Sequence, residues 1–245
     1  ANLLSQELKE KVIYNFRAND IKNNGEGAPL TPVYHKLLIN KFKINNPTLI
    51  LNIGGISNYT YCFNDTLAAK DIGPGNVLMD EYLKKTKGID YDKNGDIASS
   101  GNINKDIINQ FYEHEFYNVQ QKHSFDRNEF DFSFVKGLEF EDAVATLTYF
   151  TALVISQNIK KNFQNEIEII LCGGGRKNLT LVDHIKKILK YKIKLIDEFN
   201  LDGDFIESQA FAYLAIRSYL KKIISYPNTT NVLNPVTGGE IRKNY

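Results

Sequence analysis

Two hydrophobic rhythms alternate along the chain. Short apolar runs ending in glycine are followed by stretches with apolar side chains at three- and four-residue spacing. Thr48-Leu-Ile-Leu-Asn-Ile is a nearly continuous apolar run closed by Gly54-Gly55, the pattern of a buried strand feeding a tight turn. Residues 59–63 alternate as a strand does, Asn64-Asp65 suits a hairpin turn, and 67–72 pairs back and ends at Gly73-Pro-Gly-Asn. A helix follows over 77–86. Residues 140–161 give the most regular helical pattern, with Val144, Leu147, Phe150, Thr151 and Val154 on one face. Residues 167–172 form another strand pattern, ending in Gly173-Gly-Gly. A helix over 179–189, a strand over 192–196 and a helix over 205–220 come after it.

Elsewhere the pattern is weaker. Residues 4–16 fit a helix or a short strand, 33–38 is helical, and helical turns are expected within 104–116. Gly25, Gly27, Pro29 and Pro32 make 21–32 a loop. Residues 87–139 are polar and aromatic-rich with little period, and 227–245 is expected to be weakly ordered. Strands alternating with helices predict an α/β fold with a mixed or parallel sheet. No internal repeat is visible.

Composition narrows the function. The chain has 245 residues, 42% hydrophobic and 24% charged, which fits a globular protein of one or two domains. Thirty basic against 29 acidic residues leave a net charge of +1, so no bulk electrostatic footprint for nucleic acid or an anionic membrane exists. No apolar run approaches the roughly 18 residues of a membrane span, and the opening residues lack a basic and then apolar secretory pattern. A cytoplasmic protein is the expectation. Cys62 and Cys172 lie far apart in apolar stretches without a C-x-x-C pair, so two reduced, buried thiols are expected, not a zinc site. His35, His114, His123 and His184 show no metal spacing and are expected to be structural or exposed. Dense Asn, Lys and Ile read as codon drift in an AT-rich genome, so lysine clusters need no ligand.

Three glycine turns each follow a strand: Gly54-Gly55-Ile-Ser57-Asn58, Asp71-Ile-Gly73-Pro-Gly75-Asn76 and Gly173-Gly174-Gly175-Arg-Lys-Asn178. Glycine admits positive φ and close approach of a ligand to the main chain. Successive amides in such a turn, with a helix N-terminus behind, make an anion site. Ordinary turn punctuation explains any one of them; three together point to a nucleotide or sugar-phosphate. None fits G-x-x-x-x-G-K-[ST] or G-x-G-x-x-G, which disfavours a P-loop ATPase and a Rossmann dehydrogenase. Among acids, Asp20 precedes the Gly25 loop, Asp71 ends a strand at a glycine turn, and Asp202, Asp204 and Glu207 straddle the start of the 205–220 helix. Local readings compete with functional ones here: a solvated loop acid for Asp20, turn chemistry for Asp71, and a capping box of Asp204 with Glu207.

The order of these motifs resembles the anhydro-N-acetylmuramic acid kinases. It runs Asn15-Phe-Arg-x-x-Asp20, Gly25-x-Gly-Ala-Pro-Leu, Asn52-Ile-Gly-Gly-Ile-Ser-Asn and Asp71-Ile-Gly-Pro-Gly-Asn. Then come Asp92-Lys-Asn-Gly, Ser100-Gly, Cys172-Gly-Gly-Gly-Arg-Lys-Asn, Asp202-Gly-Asp and Glu207-x-x-Ala-Phe-Ala-Tyr-Leu-Ala, with a weaker tail at Pro235-Val-Thr-Gly. The resemblance spans about residues 12–215. It implies the actin-like, ribonuclease H-like ATPase fold, with a mixed sheet flanked by helices. It also implies ATP with Mg2+, a small sugar as substrate, and a homodimer, the common assembly of that family. The implied reaction phosphorylates O6 of 1,6-anhydro-N-acetylmuramic acid while water opens the anhydro ring.

Carried over residue by residue, Asp20 falls at the catalytic aspartate and Glu207 at an acid near the sugar. Gly54, Gly55, Ser57, Asn58, Gly73 and Gly75 fall against the phosphates, and Asp71 and Asn76 belong to the same turns. Gly173, Gly174 and Gly175, with Asn178 behind them, flank the adenosine. Two features depart from the family. Its first phosphate loop, Gly-Thr-Ser-x-Asp-Gly, has no counterpart here, so the first lobe is expected to be truncated. Asn15 and Ser124-Phe-Asp-Arg-Asn-Glu replace the family's Asp and Ser-Thr-Gly-Arg-Glu. The expected division is 1–42 as a remnant of the first lobe, 43–204 as the ATP-binding lobe, and 205–245 as a returning helix and tail. A catalytically inactive remnant that at most binds nucleotide and a kinase for a different sugar remain as alternatives.

Overall fold

The computed structural model describes residues 1–111 and 130–245. The expectations for residues 112–116, for His114 and His123, and for the motif at 124–129 lie outside the described residues. In chain order the elements are α1 (Asn2–Leu8), β1 (Val12–Tyr14), α2 (Ala18–Lys22), α3 (Pro32–Lys41), β2 (Thr48–Ile53), β3 (Ile56–Phe63), β4 (Thr66–Pro74), α4 (Val77–Lys87), α5 (Asp96–Ser100) and α6 (Lys105–Phe111). Then follow α7 (Phe140–Asn162), β5 (Glu168–Cys172), α8 (Leu179–Leu189), β6 (Lys192–Leu195), α9 (Ile206–Tyr219), α10 (Pro227–Thr230) and β7 (Glu240–Arg242).

Five strands form one sheet in the order β4-β3-β2-β5-β6. Gly54-Gly55 joins β2 to β3 and Asn64-Asp65 joins β3 to β4, two-residue links that only antiparallel neighbours can have. β5 and β6 pair in parallel, from Glu168↔Lys192 to Leu171↔Leu195. The sheet is therefore mixed. Counting only its own strands, the order is third, second, first, fourth, fifth, that of a ribonuclease H-like core, so the expected fold class holds.

The chain clusters into two compact units, one of Ala1–Thr48, Thr60–Lys70 and Asp204–Tyr245, the other of Leu49–Tyr59 and Asp71–Gly203. In the second unit Leu49, Ile50, Leu51 and Ile169, Ile170, Leu171 are fully buried. Burial on both faces explains why β2 and β5 read as unbroken apolar runs. Most side chains of α7 are buried, hydroxyls included. Two of the polar groups hold their neighbours: Thr148 Oγ1 donates to Val144 O at 2.8 Å and Asn158 Nδ2 to Ile72 O at 3.1 Å, which ties α7 to the end of β4. Cys172 is buried in this unit and unpaired, and burial pushes its thiol up to about 12. Tyr149 meets His184 edge to face at 5.2 Å.

In the first unit Leu30, Val33, Leu214 and Ile224 form a core flanked by Phe16, Phe211 and Tyr213. Phe16 and Phe211 pack edge to face at 5.6 Å, and Tyr34 donates to Gln209 Oε1 at 2.6 Å, joining α3 to α9. His35 is buried and its Nδ1 lies 2.7 Å from Thr60 Oγ1. Burial lowers its pKa to about 4, so the ring is neutral and structural as expected. Cys62 is buried and unpaired here. The ambiguous residues 4–16 resolve into the end of α1 and β1. The C-terminal stretch is better ordered than its pattern suggested, because β7 pairs antiparallel with β1 from Val12↔Arg242 to Tyr14↔Glu240. A 3-10 turn over Gly203–Phe205 leads into α9, whose N-cap is Phe205. Among the described residues no helix is long and apolar enough to cross a membrane.

Candidate active site

All three glycine turns lie in the second unit and interlock through their backbones. Gly75 N donates to Gly55 O and Asn76 N to Gly54 O, both at 2.8 Å, and Val77 N reaches Gly55 O at 3.2 Å. A β-carbon at Gly75 would overlap the Gly54 carbonyl oxygen. Gly173, at φ 79°, would press a β-carbon onto Asn52 and Ile53, and Gly175 onto the Ile53 side chain. These three glycines are required by internal packing. Gly54 and Gly174 are not. A β-carbon at Gly54 would find nothing nearer than Ile56 O at 3.5 Å, and at Gly174 nothing nearer than Asn76 Nδ2 at 3.6 Å.

The predicted polar members of the turns behave differently from one another. Ser57 is fully buried and donates to Pro74 O at 3.0 Å, bracing the β3 and β4 ends. Asn178 is buried and its Oδ1 accepts from Leu181 N at 2.9 Å as the N-cap of α8. Both side chains serve the scaffold in this structure. Asn58 and Asn76 are half-buried, and Asp71 is buried in β4 beside the buried Gly73. The Asn76 amide lies against Gly174 and Gly175, which links the second turn to the third. Thr151 of α7 reaches Gly75 O at 3.5 Å.

Sequence reasoning missed the anchor of the third turn. Arg176 is buried and pairs with Asp197 through Nε–Oδ2 at 2.7 Å and Nη2–Oδ1 at 3.1 Å, while Nη1 donates to Gly173 O at 3.0 Å. A two-point guanidinium–carboxylate pair fixes orientation as well as charge. The hydrogen bond from Arg176 holds the Asp197 carboxyl below its ordinary range. A guanidinium directly after a glycine turn was visible in the sequence; its partner, beyond β6, was not.

Asp20 belongs to the first unit. It sits in α2 and is fully buried, and among the described residues no donor meets hydrogen-bonding geometry at either carboxyl oxygen. Gly25 closes over it so tightly that a β-carbon there would strike both oxygens. Burial raises the carboxyl above its ordinary range; the nearby Thr230 hydroxyl and Gly27 amide only partly offset this, and the charge of Glu26 adds to it. The loop-acid reading of Asp20 is thereby corrected. Glu26 is exposed and engaged by Asn231 Nδ2 at 2.6 Å. Asn15, where the resembling family has Asp, donates to Glu240 Oε1 at 2.5 Å, a position where a second carboxylate would be repelled. Glu207 is exposed in the first turn of α9. No group of three His, Cys, Asp or Glu suited to a metal ion exists among the described residues.

The family model "Anhydro-N-acetylmuramic acid kinase" matches residues 1–243. The chain belongs to the anhydro-N-acetylmuramic acid kinase family. The anhydro-N-acetylmuramic acid kinase of Pelagibacter ubique is 52% identical over 255 residues, covering 100% of this chain and 68% of that protein. The enzyme of the same name from Zymomonas mobilis is 39% identical, covering 97% of this chain and 65% of that protein. The chain thus spans about two thirds of the length of these curated relatives. Among solved structures, component A of (R)-2-hydroxyglutaryl-CoA dehydratase from Acidaminococcus fermentans is similar with a TM-score of 0.48 at 12% identity, covering 78% of this chain and 69% of that one.

Proposed function

We propose that this chain carries the nucleotide-binding turns and the general base of a kinase that converts 1,6-anhydro-N-acetylmuramic acid to N-acetylmuramic acid 6-phosphate in peptidoglycan recycling. Membership of the family supports the reaction. The observation that carries the nucleotide assignment is the pair Gly54 and Gly174. Neither is demanded by a positive φ or by its neighbours, yet each stands in a turn at a strand end. A bare backbone there is explained by a ligand that must approach it closely.

The residues present fit ATP with Mg2+. Gly54-Gly55 lies at the N-terminus of α4, whose first amides donate to the Gly54 and Gly55 carbonyls, so the support for phosphate there is the helix dipole and the close approach that glycine permits. Mg2+ is commonly held by the phosphates, water and one or two carboxylates, so a preformed three-carboxylate cage is not needed. ATP supplies the transferred phosphoryl group, and Mg2+ neutralises charge on the phosphates. Gly54, Gly55, Gly73 and Gly75 hold the phosphates, and Gly173 to Gly175 border the adenosine. In the first unit Asp20 takes the proton from the attacking water, a role suited to a carboxyl whose proton affinity burial has raised, and Glu207 binds the sugar.

Alanine at Gly54 or Gly174 tests this reading. Both variants are expected to melt within about 2 °C of the parent, since a methyl group fits without displacing backbone. Titration calorimetry with Mg–ADP is expected to show at least a tenfold loss of affinity. Unchanged affinity in both variants would remove the turns from the nucleotide site.

A further inference from the structure

Two polar side chains in the first unit share one enclosure without satisfying each other. Asp20 and Thr230 are both fully buried, the Thr230 hydroxyl stands near the Asp20 carboxyl, and among the described residues both Asp20 oxygens and Thr230 Oγ1 lack a hydrogen bond of good geometry. The enclosure is built by backbone. Gly25 N donates to Asp20 O at 2.9 Å and Glu26 N to Thr230 O at 2.7 Å, so the loop closing over the carboxyl is stapled to both residues. Burying unpaired polar groups opposes folding, and groups left so in a folded protein call for an explanation. The neighbouring Thr229 has no such cost. Its Oγ1 donates to Tyr226 O at 3.0 Å and accepts from Tyr226 N at 3.1 Å.

We propose that Thr230 is the positioning residue for Asp20: its hydroxyl rotates to donate to the ionised carboxylate and fixes the orientation of its two oxygens. This rests on the reading of Asp20 as the base. A hydroxyl can donate to a carboxylate or accept from a protonated carboxyl, so it follows Asp20 through a proton transfer without main-chain movement. An unpaired pair is the arrangement expected of a site that completes its bonds only during the reaction. Other groups act more weakly on the carboxyl. Gly27 N–H is the second donor near it and Glu26 the charge that opposes ionisation. Arg17 and Lys22 flank Asp20 on its own helix, and Arg17 Nη1 is engaged by Gly27 O at 2.9 Å.

The test reads Asp20 directly, by titrating its side-chain carbon in the full chain labelled with 13C-aspartate, with Asp20→Asn to assign the signal. Loss of a donor to the charged form raises a carboxyl pKa. Thr230→Val is therefore expected to make Asp20 a three- to tenfold weaker acid, Thr230→Ser to restore the parent curve, and Thr229→Val to lower the melting temperature without moving the titration. Should Thr230→Val not fold, Thr230→Ala serves in its place. A parent-like titration in the folded Thr230 variant lacking the hydroxyl would overturn the proposal. So would an equal shift in Thr229→Val, which would reveal a general loosening. Retained turnover in Asp20→Asn would overturn the base assignment instead, and the titration separates that failure from this one.

Discussion

Replacing Gly75 by alanine probes the interlock of the turns most directly. The new methyl would overlap Gly54 O and stand 3.1 Å from Gly55 O. Those two carbonyls accept the Asn76 and Gly75 amides at 2.8 Å, so the clash is relieved only by withdrawing acceptors from buried donors. One lost bond costs about 0.5–1.5 kcal/mol net, and leaving its donor unpaired brings the cost to roughly 1–3. With one bond broken and the second strained, the expected destabilisation is about 2–4 kcal/mol. At roughly 2–4 °C per kcal/mol for a chain of this size, melting falls by about 5–15 °C. Gly88→Ala is the control. Gly88 has φ 68° at the end of α4 with nothing within 4 Å, so alanine there carries only the left-handed backbone cost of about 1–2 kcal/mol. Differential scanning calorimetry gives both values, and hydrogen exchange at Asn76 and Gly75 locates the damage. Equal losses in the two variants, or protected Asn76 and Gly75 amides in Gly75→Ala, would refute the interlock.

Two further outcomes follow from single side chains. His35 is held neutral down to about 4 against an ordinary value of 6.5; its stabilisation is therefore complete above pH 6.5 and is lost as pH falls toward 4, by up to about 3 kcal/mol. Urea unfolding of the parent and His35→Gln across this range is expected to show a difference that shrinks toward pH 4, and a pH-independent difference would contradict it. Asp20→Asn is expected to lower single-turnover phosphorylation by about 10²–10⁴ while Mg–ADP affinity stays unchanged, whereas Glu26→Gln retains turnover; the reverse ranking would move the base to Glu26.

The sheet in the second unit was legible because its chemistry is local. Strands buried on both faces must be apolar throughout, and tight turns at their ends must carry glycine, so β2 and β5 announced themselves with their turns. α8 matched its expected bounds, 179–189, because Asn178 caps its start and Lys190, at φ 59°, ends it. What failed depends on partners distant in sequence. The three residues of β7 are too few to show a period, and only the pairing with β1 makes them a strand. At the candidate site, glycines marked the turns but not which of them packing demands. Asp20 was found through the resemblance; its burial, and Thr230 beside it, depend on a loop folding back onto the C-terminal segment.

The two halves of the proposed chemistry place different demands on the chain. Holding phosphate needs a backbone whose shape does not change, and turns locked to one another by hydrogen bonds such as Gly75 N to Gly55 O meet that need at little cost in stability. Gly75, Gly173 and Gly175 are tolerated in tight places because every carbonyl they approach is already bonded or packed. Moving a proton needs a group whose charge changes, and no backbone arrangement provides one. The acid must also be poised near the working pH, which for a carboxyl means raising its proton affinity by removing water. Asp20 meets that demand by being buried with its oxygens unpaired, a state that opposes folding whenever the carboxyl is ionised. Its folded pKa is raised, so the stability it contributes is full below the ordinary aspartate range and is lost as pH rises through the raised value. The instability is thus confined to one side chain on a five-residue helix in the first unit, while the turns of the second keep their hydrogen bonds at any pH that leaves the backbone folded.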